Sequence, residues 1–177
     1  MKKLITDILL SIGLIFCLTC CNSTSMQEII INNQYNIKIP TYMSETTSLN
    51  QEAILQYQNE FKSIYMIVLE DKKKDMQILL AEYKTNLNFD SDFDKYADYM
   101  IENRGFAGLS NQKINGLNAK ILKITRMVNG TQAYFNIALF EGKNHYYQII
   151  TWSAAGKEAK NRGDMELIVN SFTENNF

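Results

Sequence analysis

Few residues in this 177-residue chain have the type and spacing that chemistry demands. His145 is the only histidine. As a general base it would need a nucleophile to activate and a carboxylate to orient it, and Ser153 and Glu141 are the candidates nearest in sequence. No motif joins the three, and a histidine beside a turn is read first as a strand-edge surface residue. Asp90, Asp92 and Asp94 alternate as calcium-loop ligands do, but a loop counted from Asp90 has Lys95 where glycine is required and Ile101 where the bidentate Glu is required. Helix capping and dipole charge explain these acids better. Pairs such as Glu158 with Glu166, or Asp164 with Glu166, would serve a glycosidase only through a separation in space that sequence does not define. One histidine, with no cysteine beyond residue 21, leaves no zinc ligand set. Gly105 and Gly108 are followed by no Lys-Ser or Lys-Thr, so they form no phosphate loop. The expectation is no metal, no cofactor and no enzyme.

The cysteines point elsewhere. After Met1, Lys2 and Lys3, the stretch from Ile8 to Cys21 carries no charge and contains Cys17, Cys20 and Cys21. It is shorter than the roughly 20 residues a spanning helix needs and fits the apolar centre of an export signal. Leu18-Thr19-Cys20-Cys21 resembles a bacterial lipobox, with cleavage before Cys21, or before Cys20, and lipid on the new terminal cysteine. Asn22, Ser23, Thr24 and Ser25 then read as a polar tether. The expected organisation is a signal over 1–21, a tether over 22–30 and one domain over 31–177.

Charge excludes one class of partner. Lys and Arg number 18 and Asp and Glu 19. Losing Lys2, Lys3 and Asp7 with the signal leaves 16 basic and 18 acidic residues. So balanced a chain has no footprint for nucleic acid. With 46% hydrophobic and 21% charged residues it suits a folded domain.

The elements follow from periodicity. Tyr35, Ile37 and Ile39 alternate with Asn36 and Lys38 as a strand that Pro40 ends. Thr41 to Asn50 reads as a loop, Ala53 to Gln58 and Ser63 to Leu69 as strands, the latter central. Met76, Leu79, Leu80 and Tyr83 favour a helix within 71–87, with Lys72 to Lys74 as solvated surface. Phe93, Tyr96, Ala97, Met100 and Ile101 make a helical stripe that Ser91 caps and Arg104-Gly105 ends. Asn115-Gly116 and Asn129-Gly130 signal turns around the strand region 114–127. A phase change there, from Leu117, Ala119 and Ile121 to Leu122 and Ile124, signals a bulge or burial of both faces. Strands over 131–140 and 145–152 complete an antiparallel meander. A polar loop or weak helical turn, Ser153 to Arg162, leads to a final helix at Asp164 to Phe172, with Asn161 or Asp164 as cap. Strands, helix, meander and helix make an α+β fold.

The meander ending Tyr146-Tyr147-Gln148-Ile149-Ile150-Thr151-Trp152, the closing Glu166-Leu167-Ile168-Val169-Asn170-Ser171-Phe172 and the opening Tyr35-Asn36-Ile37-Lys38-Ile39-Pro40 resemble the Mog1/PsbP superfamily. That resemblance implies a central antiparallel β-sheet flanked by helices, an α-β-α sandwich, and a non-catalytic role in binding proteins or steadying an assembly. No set of residues here matches the metal ligands of its photosynthetic members. The favoured reading is a lipid-anchored envelope protein, held to a bacterial membrane, that binds an envelope protein or peptide through aromatics of the meander: Tyr134, Tyr146 and Trp152. The alternatives are a small-molecule or lipid-binding module with an apolar pocket between helix and sheet, and a weak hydrolase built on His145.

Overall fold

A computed structural model describes residues 24–102 and 108–175. A seven-stranded antiparallel sheet forms its centre. The strands are β3 (Ser44–Glu45), β4 (Leu55–Asn59), β5 (Ile64–Lys72), β6 (Ser110–Ile114), β7 (Leu117–Val128), β8 (Thr131–Glu141) and β9 (His145–Ala154), and they lie in the order β3-β4-β5-β9-β8-β7-β6. A smaller sheet orders β1 (Met26–Ile31), β2 (Tyr35–Pro40) and β10 (Thr173–Glu174) as β1-β2-β10. The helices are α1 (Lys73–Ala81), α2 (Asp92–Glu102) and α3 (Glu158–Asn170), the last preceded by a 3-10 turn at Ala155–Lys157. No helix among the described residues is long and apolar enough to cross a membrane.

Strand alternation sorts two cores onto the two faces of the large sheet. Ile64, Met66 and Val68 of β5, with Tyr147 and Ile149 of β9, pack beneath β2 and the α3 side chains Met165, Ile168 and Val169. Ile67 and Leu69, with Tyr146 and Ile150, pack beneath α1 and α2 through Met76, Leu80, Phe93, Tyr96, Ala97 and Ile101. The protein is therefore an α+β sandwich, with the antiparallel sheet covered on both sides. Phe172, fully buried just past the end of α3, meets the rings of Tyr35, Phe140 and Tyr147.

Local chemistry explains most elements. At both Asn-Gly pairs, Asn115-Gly116 and Asn129-Gly130, each residue has a positive φ, the condition for a tight two-residue hairpin. The Ser91 hydroxyl accepts the Asp94 amide N–H at 3.1 Å and so caps α2. The phase change in β7 is burial of both faces, because its pairing with β8 runs unbroken from Asn118 to Val128 and leaves no room for a bulge.

Several expectations need correction. The tether expected over 22–30 overlaps β1, whose residues Met26 to Ile31 all pair with β2. In 71–87 the strand β5 first runs on through Lys72, the helix occupies Lys73 to Ala81, and Leu79 points outward. Lys73 is no free surface charge: its Nζ lies 3.2 Å from Glu141 and 5.1 Å from the centre of the Tyr146 ring. Of the two readings of 153–162, the helical one holds after β9 continues to Ala154: a 3-10 turn covers Ala155–Lys157 and α3 starts at Glu158. Neither proposed cap acts as one. Asn161 lies inside α3, 2% exposed, and its amide donates to the Lys62 carbonyl at 2.9 Å and to Ser153 Oγ at 2.8 Å. Arg104-Gly105 and Cys17, Cys20 and Cys21 lie outside the described residues.

Candidate functional site

Pairing across the large sheet aligns Tyr65 with Trp152, Trp152 with Phe135, and Phe135 with Ile124. These four belong to β5, β9, β8 and β7 and project to the same face as α1 and α2. Tyr65 and Trp152 stack, with centroids 5.4 Å apart and an interplanar angle of 14°, and Phe135 follows at 6.2 Å and 24°. All four side chains are only half-buried. The adjacent row, Ile67, Ile150, Ile137 and Leu122, is buried. The aromatic row thus marks the margin of the helical layer, where apolar surface still meets solvent. Directly opposed aromatic and β-branched pairs stabilise a sheet by roughly 0.2–1 kcal/mol each, so these rings are pre-set before any partner arrives.

Of the three aromatics expected to form an interaction surface, only Trp152 is in this row. Tyr134 faces the other core, 4% exposed, with the Arg162 guanidinium 5.5 Å from its ring centre. Tyr146 is 3% exposed and stacks on Tyr96 of α2 at 4.1 Å. Burial is the main cause that pushes the Tyr146 phenol up to about 12, with the charges of Asp92 and Glu141 adding to it. A buried, protonated phenol has no surface to offer. Tyr65 and Phe135 take the places of Tyr134 and Tyr146 beside Trp152. Phe135 sat in the sequence two residues before Ile137 on the same strand face, but its pairing with Trp152 and Tyr65 is a non-local register.

His145 opens β9 at the other end of the sheet. A cleft of about 390 Å³ there is lined by Asn32 to Gln34, Lys143 to His145, Tyr147, Glu174 and Asn175. The Glu174 carboxylate accepts the Lys143 amide N–H at 2.7 Å and the Tyr147 hydroxyl at 3.3 Å. Burial first, then the nearby Glu174 charge, raise the Tyr147 phenol above its ordinary range. Ser153 lies eight residues along the same strand as His145, about 26 Å away at strand rise. Glu141 is held instead by Lys73 at 3.2 Å and Asn118 at 2.8 Å. No nucleophile and no orienting carboxylate reach His145 among the described residues.

The acids before α2 also resolve into structural roles. Asp94 Oδ1 lies 2.5 Å from Lys120 Nζ of β7, and that ammonium also donates to Asn111 at 2.7 Å. Burial alone would raise the Asp94 carboxyl, but its bonds to Lys120 and Ser91 more than offset this and hold it below the ordinary value. The pair ties α2 to the sheet. No group of three or more His, Cys, Asp or Glu side chains among the described residues could hold a metal ion.

No family model matches the sequence, and no curated protein matches it. Solved structures match the fold. A crystal structure from Bacteroides thetaiotaomicron superposes with a TM-score of 0.58 at 12% identity, over 87% of this chain and 50% of that one; this chain thus spans about half of that protein's length. LpqN of Mycobacterium tuberculosis, described as involved in cell envelope biogenesis, superposes with a TM-score of 0.57 at 11% identity, covering 85% and 92% of the two chains. The cyanobacterial PsbP, CyanoP, of Synechocystis superposes at 0.56 with 10% identity, covering 92% and 99%. The chain shares the fold of these three structures, the cyanobacterial PsbP among them. At these identities the likeness concerns architecture.

Proposed function

We propose that this chain is a lipid-anchored envelope protein that acts as a non-catalytic protein-binding module, with Tyr65, Trp152 and Phe135 as its contact row. The single observation that carries the binding role is that row: three aligned rings, half-exposed, on a rigid sheet. Tyr and Trp are enriched at the centres of protein interfaces because they bury a large apolar area while keeping a polar handle. The anchor rests on the apolar stretch and the cysteines at 17, 20 and 21. A structural counterpart involved in envelope biogenesis supports the same setting. A pocket for an apolar ligand has less support, since the space between helices and sheet on both faces is filled by buried side chains.

The test is site-specific photo-cross-linking in cells. A photoreactive residue at 152 in the anchored chain is compared with one at the exposed position 78 of α1. One envelope protein joined to position 152 and not to 78, and lost when Tyr65→Ala and Phe135→Ala are added, supports the reading. The same products from both positions, or none under several growth conditions, overturn it.

A further inference from the structure

Among the described residues, the end of the domain that holds Thr24 carries the most exposed large hydrophobic side chain. By strand register, the β4–β5 turn, the Asn129-Gly130 hairpin and the junction between β9 and α3 lie at one end of the large sheet. Thr24, the first described residue, lies there too. Thr24 Oγ1 donates to Asp164 of α3 at 2.6 Å, and the Tyr42 hydroxyl donates to the same carboxylate. Asn59, the last residue of β4, donates to the Tyr42 carbonyl at 2.7 Å, and Lys62 Nζ of the turn lies 3.6 Å above the centre of the Tyr42 ring. Thr24 is therefore tied, through Asp164 and Tyr42, to the turn 60–63.

At the tip of that turn Phe61 is 91% exposed, the highest value among the exposed large hydrophobics. The turn is braced from behind. Lys157 Nζ donates to the Phe61 carbonyl at 2.8 Å and to Ser63 Oγ at 3.2 Å, and Asn161 holds the Lys62 carbonyl. Met127 at 61% and Val128 at 44% exposure stand on the hairpin at the same end. Lys62 and Lys157, which hold the turn, and the exposed Lys160 in the first turn of α3 stand at this end, while Glu158 is engaged by Arg162 and Glu60 accepts from the Gln58 amide at 3.3 Å. A fixed apolar point with lysines at the same end suits a surface that is apolar inside and anionic at its face.

We infer that this end docks on the bilayer, with Phe61 inserted at the headgroup boundary and the lysines against anionic headgroups. The inference rests on the anchored reading above. From Cys21 to Thr24 there are three residues, which span at most about 11 Å fully extended. A lipidated Cys21 therefore leaves the Phe61 end no room to stand off from the membrane. The Trp152 row lies just behind the tip, since Tyr65 follows the turn 60–63 by two residues and pairs with Trp152.

The experiment places a reporter at the tip. In a Trp152→Phe background, Phe61→Trp and Ile78→Trp are each introduced into the full chain, purified with its native N-terminus. Each is reconstituted into phosphatidylethanolamine–phosphatidylglycerol vesicles whose acyl chains are brominated. Both positions are exposed, at 91% and 74%, so neither change disturbs the core. Flotation and mass spectrometry of the N-terminal peptide report the anchor independently. Expected is a blue-shifted emission at 61 that loses most of its intensity to brominated lipid, with neither effect at 78, and a smaller loss at 61 after Lys160→Glu. Protein that floats, with position 61 unquenched or quenched no more than 78, overturns the docked tip and leaves the anchor standing. Protein that does not float, with Cys20 and Cys21 unmodified, overturns the anchor and this inference with it.

Discussion

Asn161 offers a sharp test of how α3 is held. If it were an N-cap, aspartate would replace it at little cost, since Asn and Asp cap about equally well. In the structure it is a buried bridge: one amide nitrogen serves the Lys62 carbonyl at 2.9 Å and Ser153 Oγ at 2.8 Å. Asn161→Ala removes two hydrogen bonds worth about 1 kcal/mol each. Leaving the Lys62 carbonyl short of a donor adds a further loss of up to about 1 kcal/mol, and the better helix propensity of Ala returns about 0.5 kcal/mol. The net loss is about 2 kcal/mol, or roughly 4–8 °C in melting temperature for a domain of this size. Asn161→Asp should cost at least as much at neutral pH, because a carboxylate cannot donate to the Lys62 carbonyl and would set a negative oxygen against it in a buried place. Denaturant unfolding of both variants, read as midpoint and slope, decides the matter. An Asn161→Asp protein within about 0.5 kcal/mol of the parent would refute the bridge and restore the cap.

Two further outcomes follow from named contacts. The Asp94–Lys120 pair should make Lys120→Met less stable by roughly 2 kcal/mol at neutral pH, less than a fully buried pair because the Asp94 side chain keeps 28% exposure. The Asp94 carboxyl lies lower in the folded than in the unfolded chain, so its contribution is complete above about pH 3.9 and is lost as pH falls through the folded value. Thermal melts across this range should show the gap between parent and variant narrowing in acid, and a constant gap refutes the assignment. Gly142→Ala would set a Cβ against Glu174 Oε1 and 2.7 Å from Tyr147 Cε2. Tyr147 is 1% exposed and cannot yield, so the change should cost about 1–3 kcal/mol and loosen β10, read as faster amide exchange at Thr173 and Glu174. An unchanged melt with unchanged exchange would show that Glu174 moves aside freely.

Where the sequence was legible, a local signal sufficed. The two Asn-Gly turns, the alternating Tyr35, Ile37 and Ile39, the stripe of α2 and the apolar positions Met165, Ile168, Val169 and Phe172 all read from neighbours within one turn or one strand. What was missed depends on pairing at a distance. β10 and β3 are two residues each and exist only through β2 and β4. The start of α3 is polar and Gly163 follows in its second turn, yet buried Asn161 and the junction with β9 hold it helical. Parity correctly separated Tyr147 from Tyr146, but it could not tell which face each helix covers, so Tyr146 was expected at a surface it does not reach. Tyr65 was visible only as part of a strand; that it stands beside Trp152 is a matter of register between residues 87 positions apart.

The two Asn-Gly pairs, alike in text and backbone, should age differently. Deamidation needs the Asn side chain to turn so that the following glycine nitrogen can attack its amide carbon. The Asn115 amide is committed, donating to the carbonyls of Asn170 at 2.9 Å and Phe172 at 2.8 Å, where it finishes the C-terminal end of α3. Asn129 sits at an exposed hairpin tip, with no hydrogen bond from its side chain among the described residues. Peptide mapping of stored protein should find the isoaspartyl product at 129 well before 115. The order matters to the molecule. At 129 a new carboxylate faces water, whereas at 115 it would confront two carbonyl oxygens at the negative end of a helix. The contact that closes α3 thus also sets the shelf life of the fold.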